Sequence, residues 1–458
     1  MCATRHPALP NLDPARRRHP RHRSPWGGRA MALLALAASA ASPAVAQNVK
    51  PPKVQLWIDA STGGMAGMPE MDGLQGGMGG MIAGMMGGGG GAAGGARGAQ
   101  GWWGQARTPH VMPARVLDLA LESRIQPGAP AQQFVPAGLR MGESLPLIAP
   151  APSAPPPRES EPGDVPADME PPRGRILIYW GCGTEVRPGQ PRVIDLARGN
   201  PADFARAFAG RYVPERGPRV GPSTVFFPNE QNQQTPPRGA SLVGEHRVQG
   251  AGVPASMKFS LGPAQDLMPP IELQTQGRLT DAVALSWRPV AQARAYFLHA
   301  MGSVSKDDMV LWSSAETPDT GMGLFDYLPN ATLERWTQER VLLAPQTTQC
   351  SVPRGIFAGS EGAMLRMIAW GGESHFAYPP RPADPKAVWE PEWAVRVRTK
   401  SHTLAMLGED GPRRGGSAGL PADAGAAPAT PPNAERPAPS PLEQLTNPAN
   451  LLKGLFGR

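Results

Sequence analysis

Residues 282–300 read AVALSWRPVAQARAYFLHA, and this stretch decides the fold class. Val283, Leu285 and Trp287 alternate with small and polar residues, the period of a strand with one buried face. A Pro-containing turn follows at Pro289. Ala295-Tyr296-Phe297-Leu298 then starts a second strand. Downstream, Cys350-Ser351-Val352-Pro353, AMLRMIAW at 363–370 and WAVRV at 393–397 are rich in β-branched, aromatic or alternating residues and read as further strands. A helix is predicted between them over 330–338.

A strand of the form LSW-x-PV, followed by an aromatic-bearing strand, resembles the second and third strands of fibronectin type III and immunoglobulin-like domains. The later segments are similar to the remaining strands. The resemblance covers about 265–405 and implies a mainly β fold, a two-sheet sandwich in the C-terminal half. The chain departs from the ordinary module in its inserted helix and its length. This fold hosts many functions, so the resemblance implies no activity.

Outward from this region the chain is punctuated by low-complexity segments. RILIYW at 175–180 is the strongest strand, and it ends in Gly181-Cys182-Gly183. After Pro188-Gly189, residues 192–196 can pair back as a hairpin. A short helix is predicted over 200–210, with Asn200 as cap, Pro201 at its first position and Gly210 as terminator. Strands are expected at 54–59, 116–121 and 145–148. The resulting division is a β segment at 47–148, interrupted by a Met/Gly-rich tract at 61–104, then a proline-rich linker at 149–173. A β-rich region with a short helix occupies 174–264, and the sandwich 265–405. A Gly/Ala/Pro-rich linker, expected to be disordered, covers 406–441, and a short amphipathic helix 442–458. With its tract and its Trp180-Gly181-Cys182-Gly183 element, the chain also resembles a group of secreted proteobacterial proteins, a likeness that carries no activity with it.

Residues 31–47, MALLALAASAASPAVAQ, follow seven arginines and have the order of a secretory signal peptide: basic, apolar, then small residues at Ala44-Val45-Ala46. Cleavage is expected between Ala46 and Gln47, which makes 1–46 the leader. The apolar run is well short of the ~20 residues that span a bilayer, so no transmembrane span is expected in the mature chain. The formal charge of +7 belongs to the leader: without it, 38 basic and 37 acidic side chains remain of the original 45 and 38. That balance argues against a nucleic-acid partner. Glycine and proline number 55 and 56 of 458 residues, close to the range of low-complexity chains. The expected location is the periplasm, the outer envelope or the extracellular medium. Cys182 and Cys350 are the two cysteines left after the leader, and in an oxidising compartment a lone pair points to one disulfide.

Candidate chemistry is sparse. Met65, Met68 and Met71 repeat every third residue, and Met78 and Met81 repeat the spacing. Thioethers on a glycine-rich backbone are soft ligands suited to Cu(I). The tract itself contains no histidine. The histidines after the leader are His110, His246, His299, His375 and His402, none at metal-ligand spacing. Glu245-His246 and Glu373-Ser374-His375 offer acid/base neighbours. No G-x-S-x-G, H-E-x-x-H or P-loop occurs, and no catalytic residue is assigned. The expected function is that of an exported, non-catalytic binding or scaffold protein. Periplasmic Cu(I) handling through the Met tract is the alternative, and a secreted enzyme without a recognisable motif is the third reading. The 442–458 helix has Leu451, Leu452, Leu455 and Phe456 on one face, which suits docking to an envelope protein or a membrane surface.

Overall fold

Two hydrophobic cores lie against one continuous nine-stranded sheet in this protein. The computed structural model describes residues 49–68, 103–150, 174–195, 211–214, 217–218, 221–384 and 386–408. The strands are β1 (Val54–Thr62), β2 (Arg115–Ser123), β3 (Ala131–Phe134), β4 (Ser144–Leu147), β5 (Arg175–Trp180), β6 (Arg192–Asp195), β7 (Thr224–Phe227), β8 (Gly244–Gly250) and β9 (Lys258–Leu261). They continue with β10 (Leu273–Gln276), β11 (Val283–Trp287), β12 (Ala295–Ser303), β13 (Asp308–Ser313), β14 (Gln349–Val352), β15 (Ala363–Tyr378) and β16 (Trp393–Leu407). Among the described residues one α-helix, α1 (Asn330–Gln338), lies between β13 and β14. The chain is mainly β, as its alternation predicts. The expected signal peptide, including Ala46 and Gln47, the 200–210 helix and the 442–458 helix lie outside the described residues.

Nine strands form the shared sheet in the order β6-β5-β13-β12-β15-β16-β1-β2-β7. Most neighbours are antiparallel, but β1 runs parallel to β16 and β5 parallel to β13. A three-stranded sheet, β10-β11-β14, covers one half of one face, and a four-stranded sheet, β4-β3-β8-β9, covers the other half. Under the first lies a core of Leu273, Val283, Leu285, Trp287, Tyr296, Leu298, Trp312, Leu365 and Met367. Under the second lies a core built on Leu56, Ile58, Leu119, Leu121, Phe227, Val248, Phe259 and Val395.

β15 and β16, of 16 and 15 residues, are long enough to serve both cores. Val395 and Val397 enter one core, whereas Ala405 and Leu407 of the same strand enter the other. Between the cores the chain crosses at Leu267 and Met268, consecutive residues buried in different cores. A bulge between Trp370 and Gly372 shifts the β15–β16 register, and such bulges bend a strand and increase its twist. Gly372 has φ 94, and a Cβ there would stand 2.8 Å from Asn330 Oδ1. Asn330 satisfies the backbone beyond the bulge: its amide nitrogen donates to the Glu373 carbonyl at 2.7 Å, and the Glu373 N–H donates to its Oδ1 at 2.9 Å. This pair ties the start of α1 to the sheet.

Cys182, just after β5, and Cys350, in β14, stand at disulfide distance, with S–S 2.12 Å and Cα–Cα 5.1 Å. The pair joins the three-stranded sheet to the nine-stranded one. Among the described residues, no helix is long and apolar enough to cross a membrane.

Candidate functional site

The face of the nine-stranded sheet turned away from the two cores carries charge where β1, β2 and β16 meet. Alternation along β16 puts Arg396, Arg398, Lys400 and His402 on this side while Val395 and Val397 face a core. β1 contributes Asp59 and Ser61 in register with Arg398 and Lys400, and β2 contributes Asp118 opposite Asp59. Parallel and antiparallel neighbours in register present side chains to the same face, so these groups are forced together.

Two segments close over them. One is 104–113, where the chain returns from the Met/Gly-rich tract, and the other is 319–328. Asp59, Asp118, Arg398, Lys400 and His402 are all buried. The Arg398 guanidinium straddles the Asp59 carboxylate, with Nε to Oδ1 at 2.7 Å and Nη2 on Oδ2. Lys400 Nζ donates to the carbonyls of Arg107 at 3.0 Å and Phe325 at 2.9 Å, one from each covering segment. Arg107 reaches Asp326 with Nη2–Oδ2 at 2.6 Å, linking the two segments. The Tyr327 ring receives both cations, Arg398 at 4.4 Å and Lys400 at 4.7 Å from its centroid. The Ala106 N–H donates to Asp118 Oδ2 at 2.7 Å.

Burial sets the protonation here. It pushes the Asp118 carboxyl up to about 8, with the Asp59 charge acting in the same direction. It pulls the Lys400 ammonium down to about 8, against the pull of Asp326. Burial also works against the Asp326 carboxylate, but Lys400, Arg107 and Arg398 overcome it and hold Asp326 below the usual range. Burial depresses Arg396 to about 10, helped by Arg398 beside it.

At the end of this belt two histidines meet around one hydroxyl. Ser61 Oγ lies 3.1 Å from His110 Nε2 and 3.5 Å from His402 Nδ1. Each ring turns its other nitrogen to backbone: His110 Nδ1 is 2.9 Å from the Pro113 carbonyl, and His402 Nε2 is 2.7 Å from the His110 carbonyl oxygen and also 2.7 Å from the His110 N–H, which donates to it. The rings are edge-to-face, with centroids 4.6 Å apart. Burial, then Lys400, lowers His110 to about 3, while burial, then His110 and Lys400, lowers His402. Both rings are therefore neutral at physiological pH. Gly63 makes room for this packing, since a Cβ on it would sit 2.2 Å from the His110 carbonyl oxygen.

Of the methionines singled out in the sequence, Met65 and Met68 are described, and Met71, Met78 and Met81 lie outside the described residues. Met65 forms a parallel bridge to Leu404, two residues along β16 from His402, and Met68 is 47% exposed. Among the described residues no cluster of three His, Cys, Asp or Glu side chains stands at metal-binding distance. Glu373 and His375 do meet on β15, at 2.6 Å between Oε1 and Nε2, with the His375 side chain exposed and that of Glu373 largely covered. His246 is instead buried against Phe259, with Nε2 2.8 Å from the Leu242 carbonyl, while Glu245 beside it is exposed. The charged belt was not singled out in the sequence. Its signal is the run Arg396, Arg398, Lys400, His402, four charged or titratable residues at strand period in a β-rich segment.

No protein-family model, curated protein or solved structure matches this chain.

Proposed function

We propose that this chain is exported and works as a non-catalytic binding or scaffold protein of the bacterial envelope or extracellular space. The observation that carries the reading is the Cys182–Cys350 pair. It sits at bonding distance across two sheets and closes a separation of 168 residues, a staple of the kind that forms and persists in oxidising compartments and is rare in the cytosol. The leader-like order of residues 1–46 supports the same compartment. The C-terminal sandwich is of fibronectin type III-like form on this reading. Supporting it, β10-β11-β14 pack against β13-β12-β15-β16, which leaves the sheet surfaces and loops to do the binding. The buried charges support a scaffold role, because they pair with one another and clamp the 104–113 and 319–328 segments to the sheet. The amphipathic 442–458 segment is the proposed contact to an envelope protein or membrane surface.

Fractionating the cells and sequencing the amino terminus tests this reading. The expected product is envelope-associated or secreted and starts at Gln47, and removing residues 442–458 releases it from its fraction. Full-length protein confined to the cytosol sinks the proposal.

A second reading, Cu(I) handling through Met65, Met68, Met71, Met78 and Met81, is favoured by one observation. Met65 continues the β1–β16 register and so delivers the start of the tract beside His402. Anaerobic competition with a Cu(I) chelator tests it. A five-fold Met-to-Ser variant that competes as well as the parent dismisses the tract.

A further inference from the structure

Arg396 stands where the covered belt gives way to an open stretch of the same sheet face, and one edge of its guanidinium meets no acceptor. We propose that this edge, with the Trp57 ring beside it, binds the carboxylate of an acidic sugar, a uronate. The inference rests on the binding reading above and names the chemistry of the ligand.

Register defines the place. His375, Arg396 and Trp57 form one row across β15, β16 and β1. Ala377, Ala394, Gln55 and Glu122 form the next row, across β15, β16, β1 and β2. Beyond Arg396 in one direction Arg398 and Lys400 are buried. In the other direction Trp57, Gln55, Glu122, Ala377 and Ala394 are all partly exposed. Two alanines side by side, next to a tryptophan and a histidine in the neighbouring row, leave a shallow trough that ends at Arg396.

The guanidinium at that end lacks its partner. Arg396 is 8% exposed, and its Nη1 lies 3.9 Å from Glu373 Oε2. Its Nε and Nη2 are buried with no hydrogen-bond partner. They are the same edge with which Arg398 grips Asp59, Nε on Oδ1 and Nη2 on Oδ2. Asp59 faces Arg398 across β1 and β16, whereas the residue facing Arg396 is Trp57, which brings no carboxylate. Buried donors without acceptors cost free energy. Burial, and Arg398 beside it, also disfavour the charge of this guanidinium. A carboxylate satisfies both donors at once through two parallel hydrogen bonds and supplies the missing negative charge.

Trp57 selects the body of the ligand. A half-buried indole beside a cation offers an apolar ring face next to a charged end, which suits the C–H face of a sugar that carries a carboxylate. Gln55 and Glu122 in the next row are polar partners for hydroxyls. His375 borders the edge from β15, with its side chain 63% exposed and its Nε2 2.6 Å from Glu373. Exposed side chains change rotamer within nanoseconds, so His375 can turn aside and admit a ligand without movement of the sheet.

The test titrates the exported chain with glucuronate, followed by tryptophan fluorescence and calorimetry. Glucose, which lacks the carboxylate, and acetate, which lacks the ring, are each expected to bind at least tenfold more weakly. Arg396→Lys keeps the charge but loses the two-donor edge. It is expected to weaken glucuronate at least tenfold while the melting temperature stays close to the parent's, and Trp57→Leu is expected to do the same. Undiminished binding by a folded Arg396→Lys variant overturns the site. Should that variant melt early, the parent decides: glucose held as well as glucuronate overturns the carboxylate, and acetate or inorganic phosphate held as well overturns the sugar. A secreted product that starts at Gln47 but binds no glucuronate overturns this inference and leaves the exported location standing.

Discussion

Arg398 on β16 grips Asp59 on the parallel strand β1 with two hydrogen bonds, at a site where their side chains are 4% and 3% exposed. The first described strand of the chain is thereby bonded to the last, a separation of 339 residues. Removing one partner strands a charge in a low-dielectric place. Asp59→Ala is expected to cost about 3–5 kcal/mol, whereas pairing it with Arg398→Met restores much of the loss. Urea denaturation of the two variants checks this, and a single variant within 1 kcal/mol of the parent contradicts it.

The cystine acts on the unfolded chain. Closing 168 residues restricts that ensemble by about 5 kcal/mol in the chain-entropy estimate. Reduction should lower the denaturation midpoint by a corresponding amount. Non-reducing mass spectrometry should find no free thiol at Cys182 or Cys350 in native protein.

Trp287 is 5% exposed and meets Tyr296 edge-on, with ring centroids 5.6 Å apart. It fills the core between the three-stranded sheet and the shared sheet. Trp287→Ala should cost roughly 3–5 kcal/mol, measured by thermal or chemical unfolding.

Asp118 gives a pH signature. Its folded carboxyl titrates at about 8, well above its ordinary 3.8. Between those values the native state holds a proton that the unfolded state has released. Its contribution to stability is therefore present at acid pH and is lost as pH rises from about 4 to 8. Asp118→Asn keeps an oxygen for the Ala106 N–H and removes the titration. The variant should gain stability over the parent, by a few kcal/mol in order of magnitude, as pH goes from 5 to 8. Melting temperatures at the two pH values decide it, and an unchanged gap between variant and parent refutes the assignment.

His299 gives the opposite slope. Burial, then Arg366, lowers it to about 3 from 6.5. Its contribution is complete above pH 6.5 and is lost as pH falls toward 3. His299→Gln should flatten the acid limb of the stability curve, monitored by circular dichroism.

Much of the secondary structure is legible along the chain because strand alternation is a local signal. The pattern over 283–287 marks β11, that over 175–180 marks β5, and the helix predicted over 330–338 coincides with α1. Short strands such as β7 and β9 give four residues each, too few for a period to stand out. β15 and β16 run on to Tyr378 and Leu407, beyond the apolar stretches that announce them. Directly past those stretches, residues 373–375 of β15 and 398–403 of β16 are polar on both faces, so hydropathy alone ends the strand too soon.

What the sequence by itself determined is which residues can be strands, which face of each is apolar, and that Cys182 and Cys350 are the cysteines of the β-rich region. Strand partners were a tertiary decision. The parallel pairing of β1 with β16 joins residues more than 330 apart, and no local period encodes a partner that distant. The same holds for His110 and His402, unremarkable at a spacing of 292 residues and brought into contact only when β16 lies beside β1. Side-chain chemistry is written in the chain, but proximity is set by sheet register, which depends on how two cores are filled at once.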